Sequence, residues 1–322
     1  MQTYEKQNRR KEKMNHFINF KDFTPDYLEN IIDQALEMKR YPSQYAKVLE
    51  GKKLYMLFQK TSTRTALSFA FGMTALGGQY LIQNWNDSNF SIAEIQDEVR
   101  YVSRQADIIM ARLKTNNDIN LMAQYSYVPV INGCCNMYHP SQAIADLITI
   151  KERFGNLKIK LLYVGVKNNV LNSLIDSLPK LGGEVFAATP VVNEPSLDEA
   201  LYETVFKSGK YHEIGNGHPT LTGVRKLIME VDVVYTDTWV DMEFIDDKAY
   251  AGLKKERIKK MLPFQINAEL LQGSKAVVMH DMPIHAGSEI SRDAVENHLE
   301  TILQQADNRK YAAQSILFTL LK

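Results

Sequence analysis

The segment 60–65, KTSTRT, contains residue types that can bind a phosphate group. It lies between an apolar run ending at Phe58, which predicts a strand, and a helical pattern that starts around Ala66. A helix amino terminus offers backbone N–H groups, hydroxyl side chains donate further hydrogen bonds, and Arg64 can bind phosphate through two parallel ones. The segment therefore predicts an anion site. The alternative is that Ser62 and the threonines only cap the helix, with Arg64 solvated.

The elements that must position this loop follow an alternating pattern along the chain. Residues 24–38 predict a first helix, because Thr24 can cap it and Pro25 suits its first turn. Further helical stretches alternate with short apolar runs typical of strands: KLYMLF, YLIQ, DIIMAR, VPVING, KIKLLYVGV, GEVFAATP, VDVVYTDTW and KAVVMHDM. This alternation predicts an α/β protein with mostly parallel sheets flanked by helices.

The chain is long enough for two domains. Its 322 residues exceed what one core usually supports, so two domains of roughly 150 residues are predicted. We expect a disordered extension over 1–13, a first domain over 14–148 and a second over 149–303, with the boundary near the amphipathic segment 142–154. A last helix within 304–322 is expected to pack back on the first domain, although periodicity alone does not choose between the halves.

Composition excludes several classes of partner and site. Basic and acidic residues number 38 each, so no net charge attracts nucleic acid or an anionic membrane surface. The only cysteines, Cys134 and Cys135, are adjacent, which disfavours a structural disulfide and leaves a metal site incomplete. No apolar run approaches the roughly 20 residues of a membrane span. A reducing, cytoplasmic location is therefore expected.

Several motifs, taken in order, resemble one enzyme family. LFQKTSTRTALSF is similar to the phosphate loop of the aspartate/ornithine carbamoyltransferase family, whose ornithine branch typically reads F-E-K-x-S-T-R-T-R. Matches to later family motifs follow in the family's order: IMAR, HPSQAIADL, NN, DVVYTDTW, HDMP and NRKYAAQSIL. The resemblance covers 14–322. It implies two α/β domains with the active site in the interdomain cleft, and a homotrimer or a multiple of it.

The resemblance assigns the binding of carbamoyl phosphate to a set of polar residues: Ser62, Thr63, Arg64, Thr65, Arg112, His139, Gln142 and Arg309. The STRT residues and Arg309 would hold the phosphate. Arg112 and His139, with the Thr65 hydroxyl, would contact the carbonyl oxygen, and Gln142 would bind the carbamoyl NH2. Taken alone, a histidine before proline is typical of a turn and the arginines of solvated charges. The joint pattern carries the assignment, and neither a metal nor an organic cofactor is expected.

The amine site departs from the ornithine pattern. The resemblance places five residues around the second substrate: Asn169, Asp237, Asp241, Met242 and Asp281. Asp241 replaces the usual serine of D-x-W-x-S-M, and Asp281 replaces the cysteine of H-C-L-P. A substrate carboxylate near such aspartates costs on the order of 1 to 4 kcal/mol per close pair, so a cationic amine is favoured. Ornithine, or a related cationic amine such as a diamine, is the expected acceptor.

Three residues are predicted to be catalytic, namely Arg112, His139 and Asp281. Asp281 would accept a proton from the reacting nitrogen or orient it; the alternative is an ion pair with a nearby basic residue. The predicted reaction transfers a carbamoyl group to a primary amine, giving a ureido product and phosphate. One competing interpretation is a catalytically silent binding or assembly protein. Another is a nucleotide-binding protein, suggested by LYVGVKNN, but the G-x-G-x-x-G spacing is missing.

Overall fold

The described chain divides into two units. The computed structural model describes residues 16–240 and 250–322, so the predicted extension 1–13 lies outside the described residues. Of these, the first unit contains 16–20, Ile31–Ser141 and Arg309–Lys322, and the second contains Lys21–Asn30 and Gln142–Asn308. The sequence places the boundary after residue 148, whereas the residues from Gln142 onward belong to the second unit.

The first helices and the first sheet come from the amino-terminal half. In chain order the elements are α1 (Pro25–Arg40), α2 (Pro42–Tyr45), β1 (Lys53–Phe58), α3 (Thr63–Ala75), β2 (Gln79–Asn84), α4 (Ile95–Val102), β3 (Ile108–Arg112), α5 (Asn116–Tyr125) and β4 (Val130–Cys134). The strands form a parallel sheet in the order β2-β1-β3-β4. Phe17 extends the sheet by a parallel bridge to Ile131 beside β4.

Local sequence explains how the early helices begin and end. Thr24 accepts a hydrogen bond from the Tyr27 N–H at 3.2 Å, the cap predicted for α1. After α3 the chain turns at Gly77, where φ is +86°. A Cβ there would lie 2.7 Å from the Ala46 carbonyl oxygen, so both conformation and space require glycine. This turn sends the chain back into β2.

The second sheet forms from the later elements. They are α6 (Pro140–Phe154), β5 (Lys160–Lys167), α7 (Asn169–Ser177), β6 (Glu184–Val192), α8 (Glu199–Lys207), β7 (Tyr211–Glu213), α9 (Leu221–Ile228), β8 (Val233–Thr236), α10 (Ala251–Met261), α11 (Ala268–Leu271), β9 (Val277–His280) and α12 (Arg292–Leu321). All strand pairs are parallel, in the order β7-β6-β5-β8-β9. The predicted α/β fold with a parallel sheet in each domain is confirmed.

Two predicted helices need correction, and one strand was missed. α3 begins at Thr63 rather than around Ala66, with Ser62 as its N-cap. The last helix begins at Arg292, well before 304, and its residues from Arg309 onward belong with the first unit. Strand β7 has only three residues and was not predicted. Across the described ranges, no helix combines the length and apolar character needed to cross a membrane.

Candidate active site

The predicted phosphate loop forms the amino terminus of α3. Ser62 is extended, and its Oγ accepts a hydrogen bond from the Thr65 backbone N–H at 3.2 Å, so it caps the helix. Thr63, Arg64 and Thr65 form the first turn. The backbone N–H groups of a first helical turn have no intrahelical acceptor and carry the positive end of the helix dipole. Capping and anion binding are therefore compatible at this position.

The Thr65 hydroxyl is where distant parts of the first unit meet. It is buried, and its Oγ1 accepts hydrogen bonds from Arg309 Nη2 at 3.0 Å and Arg112 Nη1 at 3.5 Å. Arg112 is the last residue of β3 and pairs in register with Phe58, the last residue of β1. Parallel pairing thus places Arg112 beside the loop that leads into α3.

His139 is buried immediately before α6 and lies in a strongly cationic setting. Burial, followed by the charges of Arg309, Arg112, Lys60 and Arg64, lowers its pKa well below 6.5. The imidazole is therefore neutral at physiological pH and can donate one hydrogen bond without adding charge. Four cations around one imidazole make this region suited to an anion. Lys60 was given no role from the sequence, although it lies within KTSTRT.

The depressed pKa of His139 predicts a pH dependence of stability. The folded protein keeps His139 neutral, whereas the unfolded chain protonates it below about pH 6.5. The unfolded state then binds more protons, so the free energy of unfolding should fall as pH drops below about 6.5. His139→Asn should remove part of this slope, as measured by urea unfolding between about pH 5 and 8. An unchanged slope would mean that His139 is protonated in the folded state.

A cavity of about 530 Å³ lies along the predicted phosphate loop. It is lined by the loop, by Ile82 and Asn84 of β2, and by the turn that follows β2. Its lining includes Lys60, Ser62 and Thr63. The loop thus faces a cavity that is large enough to hold a small anion.

Gln142 is the third residue of α6, belongs to the second unit and is buried. Its Nε2 donates to Asp146 Oδ1 at 2.7 Å, one helical turn further on. Burial raises the pKa of Asp146 to about 7, although hydrogen bonds from Gln142, Gln305 and Tyr235 oppose this and Asp281 adds to it. Sequence reasoning did not single out Asp146, although it lies within HPSQAIADL.

The second unit brings Asp237 and Asp281 together at the carboxyl ends of its strands. Thr236 of β8 pairs in register with His280 of β9, and the two aspartates follow these residues directly. Both are buried. Asp237 Oδ1 accepts from the Thr238 N–H at 2.6 Å and its Oδ2 accepts from Asn168 Nδ2 at 2.7 Å. Two predicted acceptor-site residues are thus in contact.

Burial and the neighbouring carboxyl group change the protonation of this pair. The pKa of Asp237 is raised well above its usual range by burial, then by the charge of Asp281 and by a hydrogen bond shared with it. Hydrogen bonds from Asn168 and Thr238 oppose the rise. A hydrogen bond between two carboxyl groups requires a proton on one of them, and the raised pKa of Asp237 favours its protonated form.

Asn168, the residue before the predicted Asn169, contacts Asp237. Asn168 caps α7 through Val170 and Leu171, and the Tyr163 hydroxyl donates to its Oδ1 at 3.1 Å. Asn169 is the first residue of α7 and is half-buried. The predicted acceptor-site residues Asp241 and Met242 lie outside the described residues. Within 16–240 and 250–322, no group of three or more His, Cys, Asp or Glu side chains could hold a metal ion.

Comparison with known proteins gives concordant matches over both halves of the chain. A family model described as the aspartate/ornithine carbamoyltransferase carbamoyl-P binding domain matches residues 15–152, and that of the Asp/Orn binding domain matches 157–320. An ornithine carbamoyltransferase of Pyrococcus abyssi is 38% identical over 306 residues, covering 93% of each chain. One of Archaeoglobus fulgidus is 36% identical over 314 residues, covering 96% of this chain and 98% of that protein.

Solved structures agree with the sequence relatives. The ornithine carbamoyltransferase from Pyrococcus furiosus superposes with a TM-score of 0.83 at 35% identity, covering 94% of this chain and 96% of that one. The anabolic ornithine carbamoyltransferase from Campylobacter jejuni gives 0.84 at 30% identity, covering 95% and 99%. The likeness therefore extends over nearly the full length of both chains.

Proposed function

Because the chain belongs to the aspartate/ornithine carbamoyltransferase family, we propose that it transfers the carbamoyl group of carbamoyl phosphate to ornithine or a related cationic amine. The products are a ureido compound and phosphate. The observation that carries the proposal is the Thr65 hydroxyl, which receives hydrogen bonds from both Arg112 and Arg309 at the amino terminus of α3.

We assign the phosphate of carbamoyl phosphate to the first turn of α3. Ser62, Thr63, Arg64 and Thr65 supply backbone N–H groups, hydroxyls and one guanidinium, and Arg309 supplies a second. As the C–O bond to phosphate breaks, the leaving oxygen takes up the electron pair. Cations and a helix terminus placed in advance stabilise that growing negative charge without having to reorient.

The carbonyl oxygen is assigned to Arg112 and neutral His139. Attack by the amine forms a C–N bond and moves charge onto this oxygen, where N–H donors stabilise it. Because burial and four basic groups lower the pKa of His139, it donates as a neutral imidazole and cannot act as a strong acid. Gln142 is assigned to the NH2 of the carbamoyl group, which fixes the plane of the carbonyl for attack.

The acceptor amine is assigned to the end of the second sheet where Asp237 and Asp281 meet. An ammonium group placed between the carboxyl groups would replace the proton that they share, since it neutralises their repulsion. Asp281 is also assigned to the nitrogen that reacts, which must lose a proton to become a nucleophile. Asn169, Asp241 and Met242 are proposed to complete the acceptor site on the basis of the sequence resemblance.

Assembly into a homotrimer, or a multiple of it, is part of the proposal. β2 is an edge strand, and it exposes Tyr80, Leu81 and Ile82 in succession. Leu67 and Phe71 of α3 are exposed as well. Unprotected edges and apolar patches of this kind usually have a partner. A sedimentation mass that is not a multiple of three chains would contradict this assembly.

A cytoplasmic location is proposed from the cysteines. Cys134 and Cys135 are both buried and are not joined in a disulfide, as expected for a protein in a reducing compartment. The balanced charge also fits a protein that acts on small molecules rather than on nucleic acid. Detection in a membrane or secreted fraction of the native host would contradict it.

The decisive test is an acceptor panel. Phosphate release from carbamoyl phosphate is measured with ornithine, lysine, putrescine, agmatine, aspartate and acylated ornithines, and each carbamoylated product is confirmed by mass. We expect transfer to ornithine or another cationic amine and not to aspartate. Hydrolysis without amine is the blank, and Arg64→Ala is the inactive control. Absence of carbamoyl phosphate binding would favour a silent relative instead.

A further inference from the structure

A buried polar cluster lies behind Gln142 in the second unit. Asp146 is fully buried, and its Oδ1 accepts from Gln142 Nε2 at 2.7 Å and from Gln305 Nε2 at 2.7 Å. The Tyr235 hydroxyl donates to Asp146 Oδ2 at 3.2 Å. Gln305 Oε1 in turn accepts from the His280 backbone N–H at 2.8 Å. The cluster therefore links α6, α12 and the ends of β8 and β9.

The directions of these hydrogen bonds are fixed by chemistry. A backbone N–H can only donate, so it requires the carbonyl end of Gln305 and turns Nε2 toward Asp146. An ionised carboxylate can only accept, so it requires the Nε2 end of Gln142 as well. The carbonyl end of the Gln142 amide, Oε1, must then point away from Asp146. The His280 N–H thus fixes the orientation of Gln305, and the ionised carboxylate of Asp146 determines which end of Gln142 faces away from the cluster.

We propose that Asp146 is a positioning residue for carbamoyl transfer, holding the Gln142 amide so that Oε1 accepts a hydrogen bond from the carbamoyl NH2. This inference rests on the proposed function. The NH2 of a carbamoyl group is a donor, so an amide in the reversed orientation would place two donors against each other. Gln305 and Tyr235 hold Asp146 in place through their own hydrogen bonds to its carboxylate.

The proposal distinguishes the two parts of carbamoyl phosphate. Phosphonoacetamide keeps the phosphoryl group and the terminal amide, while a methylene replaces the bridging oxygen, so no group is transferred. Inorganic phosphate lacks the amide altogether. Loss of the correct Gln142 orientation should therefore weaken binding of phosphonoacetamide and leave binding of phosphate unchanged.

The experiment compares variants of Asp146 by calorimetric titration at pH 8, where a group of pKa about 7 is mostly ionised. Asp146→Leu should weaken phosphonoacetamide binding about ten-fold, the value of one well-oriented hydrogen bond, with phosphate binding unchanged within about two-fold. Asp146→Asn can still accept from Gln142 and should stay within about three-fold of wild type. The KM for carbamoyl phosphate should follow the same order, while the KM for the amine stays constant.

Thr149→Val is the matched control. Thr149 is buried on the same helix, donates to the Ala145 carbonyl at 2.8 Å and accepts from Asn308 at 2.9 Å. Valine removes comparable buried hydrogen bonds away from Gln142, so both ligands should bind as in wild type. If Asp146→Leu does not fold, Asp146→Ala, which suits a helix, replaces it.

Three outcomes would overturn the inference. One is equal weakening of both ligands by Asp146→Leu, and another is an effect no larger than that of Thr149→Val. The third is a wild-type protein that binds phosphonoacetamide no more tightly than phosphate. That result would reject a role for the amide but would not contradict the proposed phosphate site. Wild-type protein that binds neither ligand would instead reject the proposed function, and the positioning role with it.

Discussion

Arg112→Gln is expected to lower kcat about 100- to 1,000-fold, the usual loss when one donor to a developing oxyanion is removed. Arg112 ends β3 and donates to Thr65 Oγ1 at 3.5 Å, so its guanidinium lies beside the first turn of α3. Glutamine keeps a polar group but removes the charge and the planar set of donors. Steady-state kinetics at saturating carbamoyl phosphate would measure the loss, and the KM for the amine should change little.

Arg100→Gln is the control for Arg112→Gln. Arg100 lies on α4 of the same unit and pairs with Asp97 at 3.1 Å on the surface, where such pairs contribute about 0 to 1 kcal/mol. Its kcat should equal that of wild type. If Arg112→Gln kept its kcat and only raised the KM for carbamoyl phosphate, Arg112 would bind the ground state and not the transition state.

The loop that contains Thr65, and the two arginines that donate hydrogen bonds to Thr65, illustrate what a single sequence can and cannot predict. The loop itself can be predicted as an anion site, because hydroxyls and an arginine lie between a strand and a helix. Arg112 and Arg309 lie 47 and 244 residues from Thr65 along the chain. No rule of sequence spacing predicts a contact between residues so far apart in the chain. Only the ordered family motifs indicate that Arg112 and Arg309 lie near the loop.

Helix boundaries were the least predictable part of the fold. The sequence pattern predicts the start of α3 near Ala66, because Thr63 and Thr65 are β-branched and weaken a helical pattern. The Ser62 cap nevertheless stabilises the turn, so the helix begins at Thr63. The start of α12 was missed although Ala294, Val295 and Ile302 are buried at helical spacing. Charged residues between them obscured that stripe.

Asn168 and Asn169 differ by one position and have different environments. The N-cap side chain of Asn168 folds back onto Val170 and Leu171 and still reaches Asp237, whereas Asn169 begins the helix. Helix ends cannot be placed to one residue from sequence. The direct contact with Asp237 therefore had to come from the structure.

The contact between Asp237 and Asp281 should set the choice of acceptor amine. Asp281 replaces the cysteine that the ornithine branch usually has, and it is buried against a second carboxyl group. Ornithine brings a carboxylate toward this pair, at a cost on the order of 1 to 4 kcal/mol per close contact, whereas putrescine brings none. Asp281→Cys should therefore raise the ratio of kcat/KM for ornithine to that for putrescine at least about ten-fold.

Two further variants separate the possible roles of Asp281. Asp281→Asn keeps the shape and removes the charge, so it should shift the ratio in the same direction if charge alone selects the acceptor. An equal loss of kcat with both amines would instead mean that Asp281 accepts the proton of the reacting nitrogen. Asp307→Asn, an exposed change on α12, should leave both rates unaltered. If Asp281→Cys remained active with an unchanged ratio, acceptor selection would not depend on the paired carboxyl groups.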